Sequence, residues 1–377
     1  MDDDIERREK WLSIIHFKYD VMARRMTMNP AKNQLGRIPE VNKVPGLPYI
    51  FTDAGLELPV LDITHPLFET SIDENSLADQ RAQSSLTAAM IRAMPEAQRK
   101  MITDRSYIWG THFSDKAETD YLSGMGTYML KLGPRLLGGG EERKIDLKAT
   151  MSVGGIAARM RLRDLCRHQT EVLSPLLTAH PGERLCLINI AGGASSDTFN
   201  TLRLIQRRDS NLLLNRRIEI HLLEIDTIGP HFAEKSLVAL REAGGDFETL
   251  DLDFRFHNCS WADEAAWKEI LKDRSRDIVL CSSEGGLFEY GRDEEIHTVL
   301  EILAECPSIS TGIAGSCLLD RETIDPTITA LAELSGAALR LLGREGLEDI
   351  LEPTPWSADW FDKTANPVYL LFSLRKR

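Results

Sequence analysis

The sequence predicts an α/β fold: a doubly wound, mostly parallel sheet over residues 151–377, preceded by a mostly helical accessory domain over 1–150. Three observations carry this. Short apolar runs alternate with helical stretches from Leu185 to Leu374, the rhythm of β-α-β units. The first run, Leu185–Ile190, has the length and branching of a strand buried on both faces. It breaks into Ala191-Gly192-Gly193-Ala194-Ser195-Ser196-Asp197, small residues that allow a tight turn and a close ligand.

Each element then follows in order. Residues 1–20 carry an apolar stripe (Trp11, Ile14, Ile15, Val21 or Met22) and read as a helix. Prolines at 30, 39, 45, 48, 59 and 66 forbid long helices up to Pro66. Short extended pieces, Tyr49–Phe51 and Leu58–Ile63, flank a hairpin around Asp53-Ala54-Gly55. Helical texture returns over Ser76–Lys100 and Thr119–Leu132, and Gly133–Gly140 reads as a breaker-rich loop. A longer helix, Ile156–Leu177, carries Arg159, Arg163 and Arg167 at four-residue spacing on one face. That row is either a solvated face or an anion-binding edge, since the helix leads directly into the first strand.

After the small-residue turn, Thr198–Arg207 is helical and Ile218–Ile225 is a second buried strand. Two acids, Glu224 and Asp226, lie at its tip, where a dinucleotide-type fold bonds ribose hydroxyls. Glu224 is the stronger candidate, with Asp226 capping the next helix. The expected elements continue as helix Pro230–Glu242, a strand in the later half of Phe247–Asn258, helix Ala265–Leu271 and strand Asp277–Ser282. Helix Asp293–Ala304, strand Ser308–Ala314, helix Ile328–Leu342 and strand Val368–Leu374 complete the chain.

Composition bounds the function. The chain has 377 residues, enough for two domains, and is 42% hydrophobic with a net charge of −13. Residues 1–150 carry only −2 of it, so the C-terminal part is strongly acidic and an unpromising partner for nucleic acid. The six cysteines include no CxxC pair and suit buried free thiols in a reducing compartment. No apolar run is long enough for a bilayer and no signal-peptide pattern opens the chain. The expectation is a cytoplasmic protein that acts on a small molecule without a membrane, with a homodimer as the assembly to test.

The loop lacks GxGxxG, since its three glycine slots hold Ala191, Gly193 and Ser196, and no P-loop pattern occurs anywhere. Three segments resemble the class I S-adenosylmethionine-dependent methyltransferases, most closely the leucine carboxyl methyltransferase and polyketide O-methyltransferase group. Arg159-Met160-Arg161-Leu162-Arg163-Asp164 is similar to that group's R-x-R-x-x-D helix. Ile188–Ser196 is similar to its N-L-G-x-G-x-x-T loop, with Asn189 and Gly193 kept and Ala191 in place of the first glycine. Ser283-Glu284-Gly285-Gly286-Leu287-Phe288-Glu289-Tyr290 is similar to its E-G-L-x-x-Y segment, with one residue extra.

The resemblance implies a Rossmann-like methyltransferase fold, S-adenosyl-L-methionine as cofactor, and methyl transfer to a carboxylate or hydroxyl oxygen. It implies cofactor contacts from Arg159, Arg161, Asn189, Ala191, Gly192, Gly193, Glu224, Asp226, Ser283 and Glu284, with Arg159 or Arg161 on the methionine carboxylate. Adenine contacts fall on Asn258, Cys259 and Ser260, with Trp261 as cover or as plain core. For the acceptor the candidates are Tyr107, Trp109, His112, Tyr121, Phe288 and Tyr290. Phe113 and Tyr128 extend that aromatic stretch, and a helical core is its alternative.

No catalytic residue stands out. His257 is the histidine nearest the expected site, but it reads better as a strand-edge residue than as a base. His257 and Cys259 are only a pair, so no metal site is expected. Two other classes stay open: a catalytically inactive binding protein of the same fold, and a nicotinamide-dependent oxidoreductase.

Overall fold

The computed structural model describes residues 36–112, 123–138, 143–361 and 366–377. The helix expected over residues 1–20 lies outside them, as do Phe113 and Tyr121. The N-terminal part opens with the expected hairpin, β1 (Tyr49–Phe51) and β2 (Glu57–Pro59), paired antiparallel. Helices α1 (Pro66–Glu69), α2 (Glu74–Ala82), α3 (Ser84–Arg92), α4 (Glu96–Arg105) and α5 (Tyr107–His112) follow. The single helical stretch expected over 76–100 is therefore broken, first at Gln83 and again before Glu96. Pro95 explains the second break, because a proline opens a helix and cannot continue one.

Helix α6 (Gly124–Leu137) corrects the loop expected at 133–140. Gly133 takes a left-handed φ of 70° and Pro134 restarts the helix beyond this kink. Then come α7 (Lys144–Thr150) and the 27-residue α8 (Val153–Ala179), capped by the Ser152 side chain on the Gly155 N–H.

The C-terminal part alternates as expected: β3 (Leu185–Ile190), α9 (Ser196–Arg208), β4 (Arg217–Glu224), α10 (Ile228–Arg241), β5 (Asp251–Asn258), α11 (Glu264–Ile270) and β6 (Ile278–Ser283). The short α12 (Leu287–Tyr290), α13 (Asp293–Ala304), β7 (Ser310–Leu318), α14 (Pro326–Ser335), α15 (Gly343–Leu351), β8 (Trp356–Trp360) and β9 (Tyr369–Lys376) complete it. Two elements differ from expectation. The helix expected over 328–342 stops at Ser335, with Gly336 left-handed just past its end, and α15 forms separately. Strand β8 has no counterpart among the expected elements, because in Trp356-Ser357-Ala358-Asp359-Trp360 the apolar residues are separated by Ser357 and Asp359 and form no continuous run.

The seven strands run in the order β5-β4-β3-β6-β7-β9-β8. β9 alone is antiparallel to its neighbours. This order, with its one reversed strand, is that of a Rossmann-like methyltransferase fold. Side-chain alternation explains the layers. Leu185 and Leu187 of β3, with Ile218 and Ile220 of β4, face α8, α9 and α10. Cys186, Ile188 and Ile190 face the opposite layer, built from α11, α13 and α15.

The N-terminal helices share a third apolar cluster that runs from Leu58 and Phe68 through Met125 and Leu132 to Ala194 and Phe232. Its reach to Ala194 brings α6 onto the turn after β3. Among the described residues no helix is long and apolar enough to cross a membrane.

Candidate functional site

In open α/β sheets a ligand sits outside the carboxyl ends of the strands, where the strand order reverses. Here that switch point lies between β3 and β6, from which the chain proceeds outward in both directions. The turn leaving β3 is built around left-handed backbone at Ala191 (φ 53°), Gly193 (φ 52°) and Ser195 (φ 51°). Asn189, fully buried below, donates to Asp197 Oδ1 (2.6 Å) and Thr198 Oγ1 (2.9 Å) and so ties the strand end to the first turn of α9. A Cβ at Gly192 would lie 1.7 Å from Asn189 Oδ1, so only glycine fits there.

The turn's upper surface is met by two other helices. A Cβ at Gly193 would lie 3.1 Å from Gly124 Cα, and one at Gly229 would lie 2.9 Å from Gly193 Cα. Three glycines thus bring the start of α6, the turn and the start of α10 into backbone contact. Beneath the turn, Gln169, Leu187, Thr198, Thr201, Leu280 and Ser282 line a cavity of about 10 Å³, room for one water and not for a ligand.

Glu224, the last residue of β4, turns its carboxylate onto the loop. It accepts from the Gly193 N–H (3.1 Å) and from the Asp226 N–H (3.1 Å). Burial pushes its carboxyl up to about 7; the Asp226 charge adds to the rise and the backbone donors oppose it. Asp226 accepts from the N–H of Ile228 (2.9 Å), the first residue of α10, from one residue ahead of the N-cap position Thr227. Its carboxyl too is raised by burial, against its backbone donors.

Across the switch point the acids are treated differently. Buried Glu284 meets Lys131 Nζ from α6 (2.6 Å) and Arg161 Nε from α8 (3.1 Å). Arg161 Nη1 reaches buried Glu289 (2.7 Å), and its guanidinium lies 4.1 Å from the centre of the Tyr369 ring. Burial works against the Arg161 charge, but Tyr369, Glu289 and Glu284 outweigh it and hold the group above its ordinary range. Two cations and two carboxylates balance in this cluster. Asp197 stands close by, its carboxyl raised by burial and by the Glu284 charge.

The arginines of α8 correct one expectation. Of the row at four-residue spacing only Arg167 is exposed; Arg159 and Arg163 are 1% and 6% exposed, and Arg161 beside them is 2% exposed, so the row is no solvated face over most of its length. Arg159 does not face the loop either. It donates to the backbone carbonyls of Leu130 (3.0 Å), Thr150 (2.7 Å) and Ser71 (2.8 Å), stitching N-terminal segments onto α8. Burial draws its pKa down to about 10. Arg161 is the one that reaches the switch point.

Of the adenine candidates, Asn258 is exposed beside Glu224 and donates to the Glu224 (3.2 Å) and Ile225 (3.0 Å) carbonyls. Cys259 is half-buried, its thiol pushed up to about 11 by burial, and Ser260 is exposed. Trp261 is 7% exposed and belongs to the core. Ser283 Oγ donates to the Gly285 carbonyl (2.8 Å) and accepts from the Leu287 N–H, shaping the β6 loop.

Of the acceptor candidates, Phe288 is a correction: it is fully buried, edge-on to Phe372 at 4.9 Å, and lines no surface. Tyr290 packs half-buried on the same core. Tyr107 and Trp109 pack against the N-terminal cluster, with Asp146 accepting from the Tyr107 N–H. Tyr128 bonds the Pro59 carbonyl and the Leu61 N–H and is likewise core. His112 closes α5, and its side chain lies outside the described part. His257 is bonded to buried His221 (2.9 Å) on β4, and burial lowers both imidazoles, His221 to about 4.

Lys131 is the residue that sequence reasoning missed. The signal was there: it is the one charge in the apolar stretch Tyr121–Gly133, and a lone lysine on a buried face needs a partner.

No known family profile matches the chain, and no curated protein does. Solved structures similar in fold include a possible exported protein from Bordetella parapertussis, at 14% identity and a TM-score of 0.47, covering 83% of this chain and 99% of that one. Magnesium protoporphyrin IX methyltransferase from Synechocystis, with bound S-adenosylhomocysteine, is 12% identical with a TM-score of 0.37, over 58% of this chain and 87% of that one. An O-methyltransferase family protein from Burkholderia thailandensis is 16% identical with a TM-score of 0.36, over 60% of each chain. Likenesses this remote say nothing of activity.

Proposed function

We propose that the protein binds S-adenosylmethionine at the C-terminal edge of β3 and β4 and transfers its methyl group to a carboxylate or hydroxyl oxygen of a small molecule. One observation carries this reading: Glu224 stands at the tip of β4 over the Gly193 turn, and no cation pairs with it among the described residues. A carboxylate placed there suits ribose hydroxyls. With Asp226 beside it, the edge is acidic. What speaks against a dinucleotide is the loop itself, whose three glycine slots hold Ala191, Gly193 and Ser196.

The residues suit such a cofactor at its nucleoside end, where Glu224 would accept from the ribose and Gly192 and Gly193 allow close backbone approach. When bound, the cofactor supplies an already activated methyl group. The protein's part is alignment and exclusion of water, which asks little of acid–base residues. A carboxylate acceptor arrives ionised and needs no base, consistent with histidines His221 and His257 that are bonded to each other. The motifs that resemble the leucine carboxyl methyltransferase group, Arg159–Asp164, Ile188–Ser196 and Ser283–Tyr290, support this reading.

A ligand-binding protein without turnover is the second reading, favoured by α6 lying directly on the turn through Gly124 and Gly193. Calorimetry with S-adenosylhomocysteine and NADH, followed by methyl-labelled S-adenosylmethionine with a panel of small acids and alcohols, separates the readings. The expected result is S-adenosylhomocysteine binding, no NADH binding and label in at least one acceptor. Binding without transfer would leave the second reading, and NADH binding alone would defeat both.

A further inference from the structure

The switch-point crevice is bounded by the first residue after β3 and by the loop after β6, and in this protein those two meet. A Cβ at Gly286 would lie 2.5 Å from the Ala191 Cβ and 3.3 Å from the Ile190 carbonyl oxygen. Neither residue is an ordinary choice. Ala191 holds a left-handed φ of 53°, a conformation that is strained for a residue with a Cβ. Gly286 sits at φ 48°, ψ −105°, a conformation left to glycine. The methyl on one side fills the space that the missing side chain leaves on the other.

We propose that Ala191 and Gly286 form a steric pair that sets which ligands cross the switch point, making Ala191 a specificity-determining residue. The proposal rests on the nucleoside site inferred above. A ligand held by Glu224 lies over β4 and β3, and anything longer than a nucleoside must run past Ala191 toward β6. The Ala191 methyl therefore meets the ligand's tail and leaves its nucleoside alone. Gly286 keeps the opposite wall low enough for tail and methyl to coexist once the two loops part.

The test compares S-adenosylhomocysteine, which has the tail, with adenosine, which lacks it. Calorimetric affinities are measured on the full chain, on Ala191→Gly and on Gly286→Ala. Ala191→Gly should bind S-adenosylhomocysteine at least about tenfold more tightly and adenosine unchanged. Gly286→Ala should lose S-adenosylhomocysteine and keep adenosine. If Gly286→Ala does not fold, Ala191→Gly alone decides the test, because the backbone at residue 286 resists a Cβ whatever stands opposite. Adenosine binding with an S-adenosylhomocysteine affinity indifferent to residue 191 overturns the pair and leaves the nucleoside site standing. If no variant binds either ligand, the nucleoside site falls and the pair with it.

Discussion

At the tip of β4, Glu224 and Asp226 are held by backbone N–H groups, whereas past β6 Glu284 and Glu289 each meet a buried cation. The two pairs of acids lie on the same edge of one sheet, yet they answer the cost of burying a carboxylate in opposite ways. Lys131 and Arg161 neutralise the second pair and, in doing so, join α6 and α8 to the β6 loop. The first pair has no such partner and burial lifts its carboxyls; burial lifts Glu289 as well, but there the Arg161 charge opposes it. A paired buried acid is part of the scaffold, and an unpaired one at a strand tip is what a hydroxyl-bearing ligand can use.

The largest expected effect follows from breaking the paired side. Arg161→Ala strands Glu284 with Lys131 alone and leaves Glu289 without its cation. Removing one partner of a buried pair costs roughly 3–5 kcal/mol, to be read from urea unfolding midpoints. A loss below about 1 kcal/mol would mean that the cluster is not the scaffold described here.

The unpaired side should reveal itself through pH. The Glu224 carboxyl is raised from 4.5 to about 7 in the folded chain. A raised carboxyl contributes stability that is complete below its unfolded value and is lost as pH rises through the folded one. Between about pH 4.5 and 7 the protein should lose up to roughly 3 kcal/mol relative to Glu224→Gln, which cannot titrate. Parallel stability-versus-pH curves for the two proteins would show that Glu224 is not held this way.

A smaller effect is expected at Asp226. Its carboxylate accepts the first N–H of α10 and carries no ion pair among the described residues, so Asp226→Ala, which removes that bond, should cost about 1 kcal/mol in thermal or urea unfolding. A cost like that of Arg161→Ala would erase the contrast between the two sides.

The sheet was legible in the sequence because its strands are continuous apolar runs, and parallel strands covered on both faces leave that trace. Leu185–Ile190 and Asp293–Ala304 match the structure residue for residue. β8 was hidden because this short edge strand, with Ser357 and Asp359 between its apolar residues, has no such run. The turn was legible through its small residues and the acid at the β4 tip through its position. The roles of the arginines were not: Arg159 and Arg161 are two residues apart, and helix geometry sends them to different neighbours. Four-residue spacing names a shared face, but whether that face meets solvent or other segments depends on residues 68–150, whose packing no local pattern reveals. The Ala191–Gly286 contact was equally invisible, since each residue looks like an isolated irregularity until the sheet brings the two loops together.

The central claim is that Glu224 is the acid reserved for a ligand. Its most direct test is the calorimetric affinity of S-adenosylhomocysteine for the full chain and for Glu224→Gln at pH 8, where the carboxylate is ionised. Loss of the charge-assisted bonds to ribose should weaken binding by about 2–3 kcal/mol, roughly 30- to 150-fold, while thermal stability at that pH stays the same or rises. Equal affinity in the two proteins would contradict the account.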